Sequence, residues 1–348
     1  MNMHNETLFY TANSTSREEK GIYVCALNGN DGSMRIVSTI AGIASCSYLT
    51  LNSAGDRLYA VSEVSEGEVL VYSVDKKTGE LHQIDRKPTE GADPCYISLS
   101  KDEKFVFVSN YSGGQVNVFR LGNDGTLDEM SSLVVHTGSS IDPERQEAAH
   151  PHSVFADTSG QYVMVCDLGL DQIVIYRLED GILVTHHEVD LPPGSGPRHF
   201  DFHPDKKWGY VVNELNNTIT VCAYNETSAD LRILQSISSL PSDYQGISYV
   251  SDIHISACGR FLYVSNRGFD SIGLFLIDPD TGGLEAVEWV STRGVTPRNF
   301  AISPSGHIIV ANQNSANVIS FSVDSDTGCL TETGFNLQIP KPMCIQPV

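Results

Sequence analysis

The sequence predicts an all-β fold, a seven-bladed β-propeller that forms one domain over residues 1–348. Three observations predict it: a strand pattern that recurs about every 50 residues, four strand-length runs in each repeat, and chain ends that complete one repeat between them. The repeats carry no Gly-His or Trp-Asp signature of WD proteins, and no long helical pattern interrupts them. A closed ring of this kind accommodates the whole chain as a single unit.

The recurring unit consists of a small-residue turn, a β-rich run that ends in a polar residue, a second β-rich run and a Gly-containing turn. Clear copies are SKDEKFVFVSNYSGGQVNVFRLGNDGTL and SACGRFLYVSNRGFDSIGLFLIDPDTGGL. The polar residue that ends the first run provides one anchor in each repeat: Asn13, Glu63, Asn110, Asp167, Asn213, Asn266 and Asn312. Seven anchors predict seven blades.

Each repeat divides into four strands, named a to d from the channel outward. Residues 148–191 show the division, with HSVFAD, YVMVCD, IVIYRL and LVTHHEVDL as the strands and DTSG, LGLDQ and EDG as the turns. Strand a follows a proline in five repeats, where the ring fixes the chain before pairing begins: Pro94, Pro151, Pro197, Pro297 and Pro342. We expect strand a to line the channel.

The two ends of the chain predict how the ring closes. The sequence starts with strand b of a unit, LFYTAN, and stops after a lone strand a, MCIQPV. Together these segments complete one blade, which removes the exposed first and last strand edges.

The composition argues against several kinds of partner. With 22 Lys and Arg against 43 Asp and Glu, the formal net charge of −21 would repel nucleic acid. The sequence shows neither an export signal nor an apolar run long enough to span a membrane, so we expect a cytoplasmic protein, a monomer or weak homo-oligomer. The eight cysteines lie far apart and are expected to be buried thiols. Because the chain is so negative overall, a cluster of basic residues in the ring indicates a binding site for a small anion.

Strand a begins and strand b ends at the same end of an antiparallel blade, so these positions of all blades meet at one mouth of the channel. The phrases GPRHF and TPRNF place Arg198 and Arg298 at the same point of two blades. Glu214 and Arg267 occupy corresponding positions in neighbouring blades, where we expect opposite charges to lie close together. Adjacent arginines would keep the carboxylate ionised.

Each of these features has a purely structural alternative. Glu214 and Arg267 could form an ion pair that only fixes blade packing. The phrase AHPH brings His150 and His152 to the mouth, and one of them could merely stabilise a turn. Zinc is not expected, because a clear third ligand is missing and the arginines oppose a cation, and we expect no other cofactor. Residues 136–152 lengthen one repeat and form either a lid or a surface loop.

A resemblance to a known family rests on the phrases AHPHSV, DLGLDQI, GPRHFDFHP, VVNEL, YVSNRGFDSI and TPRNFAISPSG. Together they resemble the seven-bladed lactonases, a family that includes propeller-type 6-phosphogluconolactonases and carboxymuconate cyclases, from about residue 6 to the C-terminus. The resemblance implies a small anionic sugar lactone as the substrate and 6-phosphogluconolactonase, an enzyme of the pentose phosphate pathway, as the leading function. A cycloisomerase, a lactonase for another sugar acid and a non-catalytic scaffold are the alternatives.

The catalytic residues that the resemblance implies are His152, with His150 as the alternative, and Arg198, Glu214 and Arg267. Lactone hydrolysis needs an activated water, a stabilised oxyanion and a proton for the leaving oxygen. We expect Glu214 or His152 to act as general base, and the two arginines to stabilise the oxyanion.

Other polar residues of the mouth are predicted to bind the substrate. Arg298 with His199 offers charge-assisted hydrogen bonds to the phosphate, and side-chain amides are expected to orient the sugar hydroxyls. The predicted substrate-binding residues are His150, His199, Arg298, Asn110, Asn266, Gln313 and Asp167.

Overall fold

A computed structural model describes residues 6–205 and 207–348, and this part of the chain contains 28 strands in seven four-stranded sheets. Every sheet is antiparallel, and the arrangement is the predicted seven-bladed propeller. Within these residues no helix is long and apolar enough to cross a membrane.

The strands are numbered along the chain and grouped by blade, from the channel outward. Blades 1 and 2 consist of β28 (Pro342–Pro347), β1 (Glu6–Asn13), β2 (Lys20–Asn28) and β3 (Met34–Ala41), then β4 (Cys46–Leu51), β5 (Arg57–Ser62), β6 (Glu68–Val74) and β7 (Leu81–Pro88). Blades 3 and 4 consist of β8 (Pro94–Leu99), β9 (Phe105–Asn110), β10 (Gln115–Leu121) and β11 (Leu127–Val135), then β12 (Pro151–Ala156), β13 (Tyr162–Asp167), β14 (Gln172–Glu179) and β15 (Ile182–Asp190).

The remaining three blades repeat the same order. Blades 5 and 6 consist of β16 (Pro197–Phe202), β17 (Trp208–Asn213), β18 (Thr218–Asn225) and β19 (Asp230–Ser238), then β20 (Tyr249–Ile255), β21 (Phe261–Arg267), β22 (Ser271–Ile277) and β23 (Leu284–Ser291). Blade 7 consists of β24 (Pro297–Ile302), β25 (His307–Asn312), β26 (Asn317–Val323) and β27 (Leu330–Gln338).

The core lies between the blades. Strand b of a blade is buried on both faces, as in the fully buried β9, because it packs against the sheets on either side. This explains its nearly continuous apolar sequence. The outermost strand, such as β11, exposes alternate residues to solvent and carries charged side chains that discourage edge pairing.

The ring closes as predicted. β28 pairs with β1 in antiparallel register, with Cys344 opposite Ala12, so the two ends of the chain share blade 1. One predicted anchor was wrong: strand b of blade 2 ends at Ser62, which pairs with Cys46, and Glu63 follows it. Six of the eight cysteines are buried, and Cys258 is exposed.

A β-bulge near the start of strand a shapes the mouth. In β12, β16 and β24 the pairing register shifts directly after the proline that begins the strand. The residues left out of the ladder are His152, Arg198 and Arg298. Because a bulge adds an unpaired residue and changes the direction of its side chain, these three groups are released from the normal alternation of the strand.

Candidate active site

Glu214 follows β17 and lies buried among three arginines. Its Oε2 accepts a hydrogen bond from Nε of Arg198 at 3.0 Å and lies 2.7 Å from Nη2 of Arg267, while its Oε1 accepts a hydrogen bond from Nη2 of Arg145 at 2.6 Å. The predicted ion pair between neighbouring blades is therefore present. One carboxylate serves three guanidinium groups, which leaves this side of the mouth with a surplus of positive charge.

This arrangement fixes the protonation state of Glu214. Burial alone would raise its pKa, but the charges of Arg267 and Arg198 hold the pKa well below the usual range. Both of its carboxylate oxygens are also engaged by guanidinium groups, so neither is free to take a proton from a water molecule. The structure thus favours Glu214 as the group that holds the arginines in place.

Arg198 is almost completely enclosed, with 2% of its side chain exposed. Its Nη1 donates to the backbone oxygen of Ser251 at 2.6 Å and lies 3.1 Å from Nε2 of His199. Since Arg198 can only donate, Nε2 accepts, and Nδ1 of His199 donates to Oδ1 of Asp252 at 2.7 Å. Burial and the charge of Arg198 lower the pKa of His199 to about 4, so the ring is neutral.

The predicted role of His199 in binding phosphate stays a prediction, and the contacts of its ring suggest a different one. Both of its ring nitrogens are engaged by protein groups, and its side chain is buried. His199 instead orients the guanidinium of Arg198.

Arg267 ends β21 and has 14% of its side chain exposed. Its Nε and Nη2 atoms are buried and form no geometrically acceptable hydrogen bond within the described residues, although Nη2 lies close to Glu214. Buried N–H groups normally have partners, so the unpaired Nε donor suits an anionic ligand or a developing oxyanion.

His152 is the neutral base candidate of the site. Burial and the charge of Arg198 lower its pKa well below the ordinary value. Its Nδ1 lies 3.8 Å from Sγ of Cys95, and its ring meets those of His199 and Tyr111 edge-on, with centroids 5.5 Å apart in both cases. No described residue hydrogen-bonds to Nε2, which leaves that lone pair available for a proton.

His150 has the structural role that was its alternative. Its ring stacks on Tyr111 at 4.4 Å, its Nδ1 lies 3.0 Å from the backbone oxygen of Tyr111, and its Nε2 lies 3.2 Å from the carboxylate of Glu147. Both nitrogens thus have protein partners, and the contact with Glu147 holds the preceding loop.

Asp167, a predicted substrate ligand, makes its contacts with protein groups. Its Oδ1 accepts hydrogen bonds from the backbone N–H groups of His150, Gly169 and Leu170, and its Oδ2 lies 2.7 Å from Nδ1 of His136. The side chain is fully buried. Its oxygens are occupied in fixing the turn after β13.

Two predicted amide ligands also turn inward. Asn110 hydrogen-bonds to the side chain of Asn117, and Nδ2 of Asn266 donates to the backbone oxygen of Ser239 at 3.2 Å. Both asparagines are fully buried and hydrogen-bond to protein groups, and their role as substrate ligands stays a prediction. Gln313 differs, since it is half-buried and its side chain bonds to no described residue.

Arg298 faces the same mouth, where burial lowers the pKa of Arg198 and of Arg267 and the positive charge of Arg298 helps to lower both further. Nη2 of Arg298 is 4.0 Å from Oε2 of Glu63, and 18% of its side chain is exposed. This arginine therefore has a carboxylate of its own, whereas the three around Glu214 share one.

Arg145 and Tyr249 were not predicted from the sequence. Residues 136–150 bring Arg145 to Glu214, with Nη2 2.6 Å from Oε1. The guanidinium carbons of Arg145 and Arg267 lie 5.8 and 5.9 Å from the ring centre of Tyr249, respectively. Arg145 lies in an insertion, where the repeat gives no register. The available signal was an arginine just before AHPH in a chain of strongly negative charge.

A second charged cluster lies farther along the channel. Asp252 accepts hydrogen bonds from Nδ2 of Asn299 at 2.5 Å and from the backbone of Phe300 at 3.2 Å, and it lies 3.1 Å from Nε2 of His254. His254 lines a cavity of about 280 Å³ whose wall also includes Tyr48 and Ile302 but no arginine of the part of the chain that the structure describes. Among the described residues, no three His, Cys, Asp or Glu side chains converge as they would around a metal ion.

Comparison with known proteins gives a consistent result. The sequence model of the family described as Lactonase, seven-bladed β-propeller, matches residues 8–347. A 6-phosphogluconolactonase of Bacillus subtilis strain 168 is 35% identical over 339 residues, which is 97% of each chain. A 6-phosphogluconolactonase of Formosa agariphila is 35% identical over 321 residues, 89% of this chain and 90% of the relative. The structure of a periplasmic gluconolactonase of Pseudomonas aeruginosa superposes with a TM-score of 0.94, at 34% identity and 99% coverage of both chains.

Proposed function

The chain belongs to the seven-bladed β-propeller lactonase family, and on this basis we propose that it hydrolyses 6-phospho-D-glucono-1,5-lactone to 6-phosphogluconate. The observation that carries the proposal is the cluster of three arginines around one carboxylate, beside a neutral histidine at the mouth of the channel. In a chain of net charge −21 this local surplus of positive charge attracts a small anion.

His152 acts as the general base. Its free Nε2 takes a proton from a water molecule while the water oxygen attacks the lactone carbonyl carbon. Arg198 and Arg267 donate hydrogen bonds to the resulting oxyanion. When the tetrahedral intermediate collapses, the bond to the ring oxygen breaks and that oxygen takes the proton from the imidazolium of His152.

Glu214 acts on this reaction through the arginines. It holds their guanidinium groups at fixed positions before substrate arrives, so little reorganisation is needed as charge develops. A δ-lactone also opens slowly without help, and positioned charges together with one base supply an adequate acceleration. A covalent nucleophile is not required.

A lactonase for an unphosphorylated sugar acid is the second candidate. It is favoured by the gluconolactonase of Pseudomonas aeruginosa, which is as similar to this chain as the 6-phosphogluconolactonases are. Both functions use the same reacting groups and differ only in whether the mouth recognises a phosphate.

We place the proposed reaction in the pentose phosphate pathway of the cytoplasm, carried out by a monomer or weak homo-oligomer. The free, mostly buried thiols are compatible with a reducing compartment. A periplasmic location, as named for the Pseudomonas aeruginosa protein, is the alternative.

The test couples hydrolysis of 6-phosphogluconolactone to 6-phosphogluconate dehydrogenase and subtracts spontaneous ring opening. We expect clear enzymatic turnover, reduced about a hundredfold or more in His152→Ala because the general base is lost. His82→Ala is the matched control, since His82 is exposed on the outer strand β7. A wild-type rate equal to the spontaneous rate would refute the proposed function, and full activity of His152→Ala would refute the assignment of the base.

A further inference from the structure

We propose that Arg145, carried by the inserted segment 136–150, binds the phosphate of the substrate and so selects phosphorylated over unphosphorylated lactones. This inference rests on the proposed function and assigns its specificity to a residue outside the propeller repeat. It replaces the sequence-based assignment of the phosphate to Arg298 with His199.

Arg145 is the outermost member of the arginine cluster. Its side chain is 35% exposed, compared with 2% for Arg198 and 14% for Arg267. Nη2 of Arg145 donates to Glu214, whereas its Nε and Nη1 form no hydrogen bond with any described residue. The N–H groups of Nε and Nη1 are therefore available to a ligand at the opening, each as a single charge-assisted hydrogen bond of the kind that phosphate accepts.

The chemistry of the substrate matches the increase in exposure from Arg198 and Arg267 to Arg145. The carbonyl carbon must reach the two enclosed arginines and His152, where water attacks. The phosphate is attached through an exocyclic carbon several bonds from the carbonyl, and its two negative charges are costly to bury. A lactone that enters with its carbonyl inward places the phosphate near the rim, at the level of Arg145.

The carboxylates beside Arg145 and Arg298 differ in how many arginines they contact, and this difference favours Arg145 as the phosphate ligand. The guanidinium of Arg298 faces the carboxylate of Glu63, whose Oε2 is buried and accepts no hydrogen bond within the described residues. A phosphate there would lie beside an under-satisfied negative charge. Glu214, by contrast, is outnumbered three to one by guanidinium groups, so an added anion near Arg145 balances charge.

The segment holds Arg145 in place before substrate binds. Gln146 is fully buried, and its Nε2 donates to the backbone oxygen of Leu168 at 2.8 Å. The hydroxyl of Ser140 donates to Asp171 at 2.6 Å. These anchors fix the loop on both sides of Arg145, so little conformational entropy is lost when the phosphate binds.

The test measures kcat/KM for 6-phosphogluconolactone and for unphosphorylated glucono-1,5-lactone. We expect Arg145→Gln to lower the ratio of the two values by about tenfold or more, chiefly through KM of the phosphorylated substrate. Arg145→Lys should restore part of the preference, because the charge returns without the fixed N–H directions of the guanidinium. Arg298→Gln should change the ratio much less.

Arg17→Gln is the matched control for net charge. Arg17 lies between β1 and β2 at the same end of the propeller and is paired with Glu68 at 2.6 Å outside the arginine cluster. Equal losses on both lactones in Arg145→Gln would overturn the inference and assign Arg145 to catalysis through Glu214. A collapse of the ratio in Arg298→Gln alone would return the phosphate to Arg298.

Calorimetric binding of 6-phosphogluconate and gluconate separates this inference from the proposed function. If the protein shows no lactone turnover but prefers 6-phosphogluconate in a manner that depends on Arg145, the anion site stands and the activity does not. If turnover occurs but neither the turnover ratio nor the binding preference depends on Arg145, the activity stands and the inference fails. If neither product binds and neither lactone is hydrolysed, both fail.

Discussion

Two buried carboxylates of the channel, Glu214 and Asp252, show how similar groups serve different purposes. Asp252 accepts three hydrogen bonds, from His199, Asn299 and the backbone of Phe300, and it also lies beside His254. Glu214 is surrounded by guanidinium groups that carry more N–H donors than its two oxygens can accept. The first network is complete within the protein, whereas the second has donors left over.

This difference identifies which cluster binds a ligand. A fully satisfied polar network stabilises one conformation, while a cluster with unused buried donors gains free energy when an anion supplies the missing acceptors. Burial alone would raise the pKa values of Glu214 and Asp252, but neighbouring cationic groups lower both, so charge state does not distinguish them. Donor balance does.

The largest expected effect comes from neutralising Glu214, a carboxylate that contacts three guanidinium groups. Glu214→Gln leaves three arginines close together without a counter-charge, so we expect the free energy of unfolding to fall by about 3–5 kcal/mol and lactone turnover to fall about a hundredfold or more. Urea denaturation and the coupled assay measure the two effects. Glu68→Gln, which removes a partly exposed surface pair with Arg17, should cost no more than about 1 kcal/mol. Equal stability of the two variants would contradict the assigned charge balance.

The cluster around Asp252, whose hydrogen bonds are complete within the protein, should instead affect how stability depends on pH. Burial opposes protonation of His254, but Asp252 and Asp201 raise its pKa to about 9. The folded state therefore holds this proton more tightly than the unfolded state does. The resulting stabilisation is fully present below about pH 6.5 and is lost as the pH rises toward 9.

We expect wild-type protein to lose about 1–2 kcal/mol more than His254→Gln between pH 7 and 9, a range that allows for solvent screening because His254 is 34% exposed. The pKa of Asp201, raised by burial to about 6, lies below this window. Urea unfolding at several pH values measures the difference. Parallel curves for the two proteins would show that His254 does not gain its proton affinity from the fold.

The sequence was sufficient to predict the ring and the mouth, because both follow from periodicity. Seven anchors, prolines before strand a and incomplete units at the two ends specify the topology, and antiparallel pairing then brings the polar ends of the strands together. The pattern failed locally at Glu63, because this polar residue lies one position beyond the true strand end, Ser62, which is polar as well.

The sequence was not sufficient to predict which side chain of each strand start faces the ligand. Alternation along a strand would separate Arg198 from His199, but the bulge after Pro197 decides which of them enters the mouth, and pairing register is a property of the assembled sheet. Asp167 shares the anchor position, yet neighbouring backbone N–H groups engage it. Arg145 was missed since the place of an inserted loop depends on tertiary contacts that no repeat encodes.

The smallest expected effect concerns Gln313, the one predicted amide ligand whose side chain bonds to no described residue. If it orients a sugar hydroxyl, Gln313→Ala should raise KM about threefold, the value of one neutral hydrogen bond, and leave kcat and the unfolding midpoint nearly unchanged. Asn314→Ala is the control, because Asn314 is exposed and donates to Thr296 instead. An unaltered KM in Gln313→Ala would confine recognition to the charged groups, so that donor balance around Glu214 alone would determine how the ligand binds.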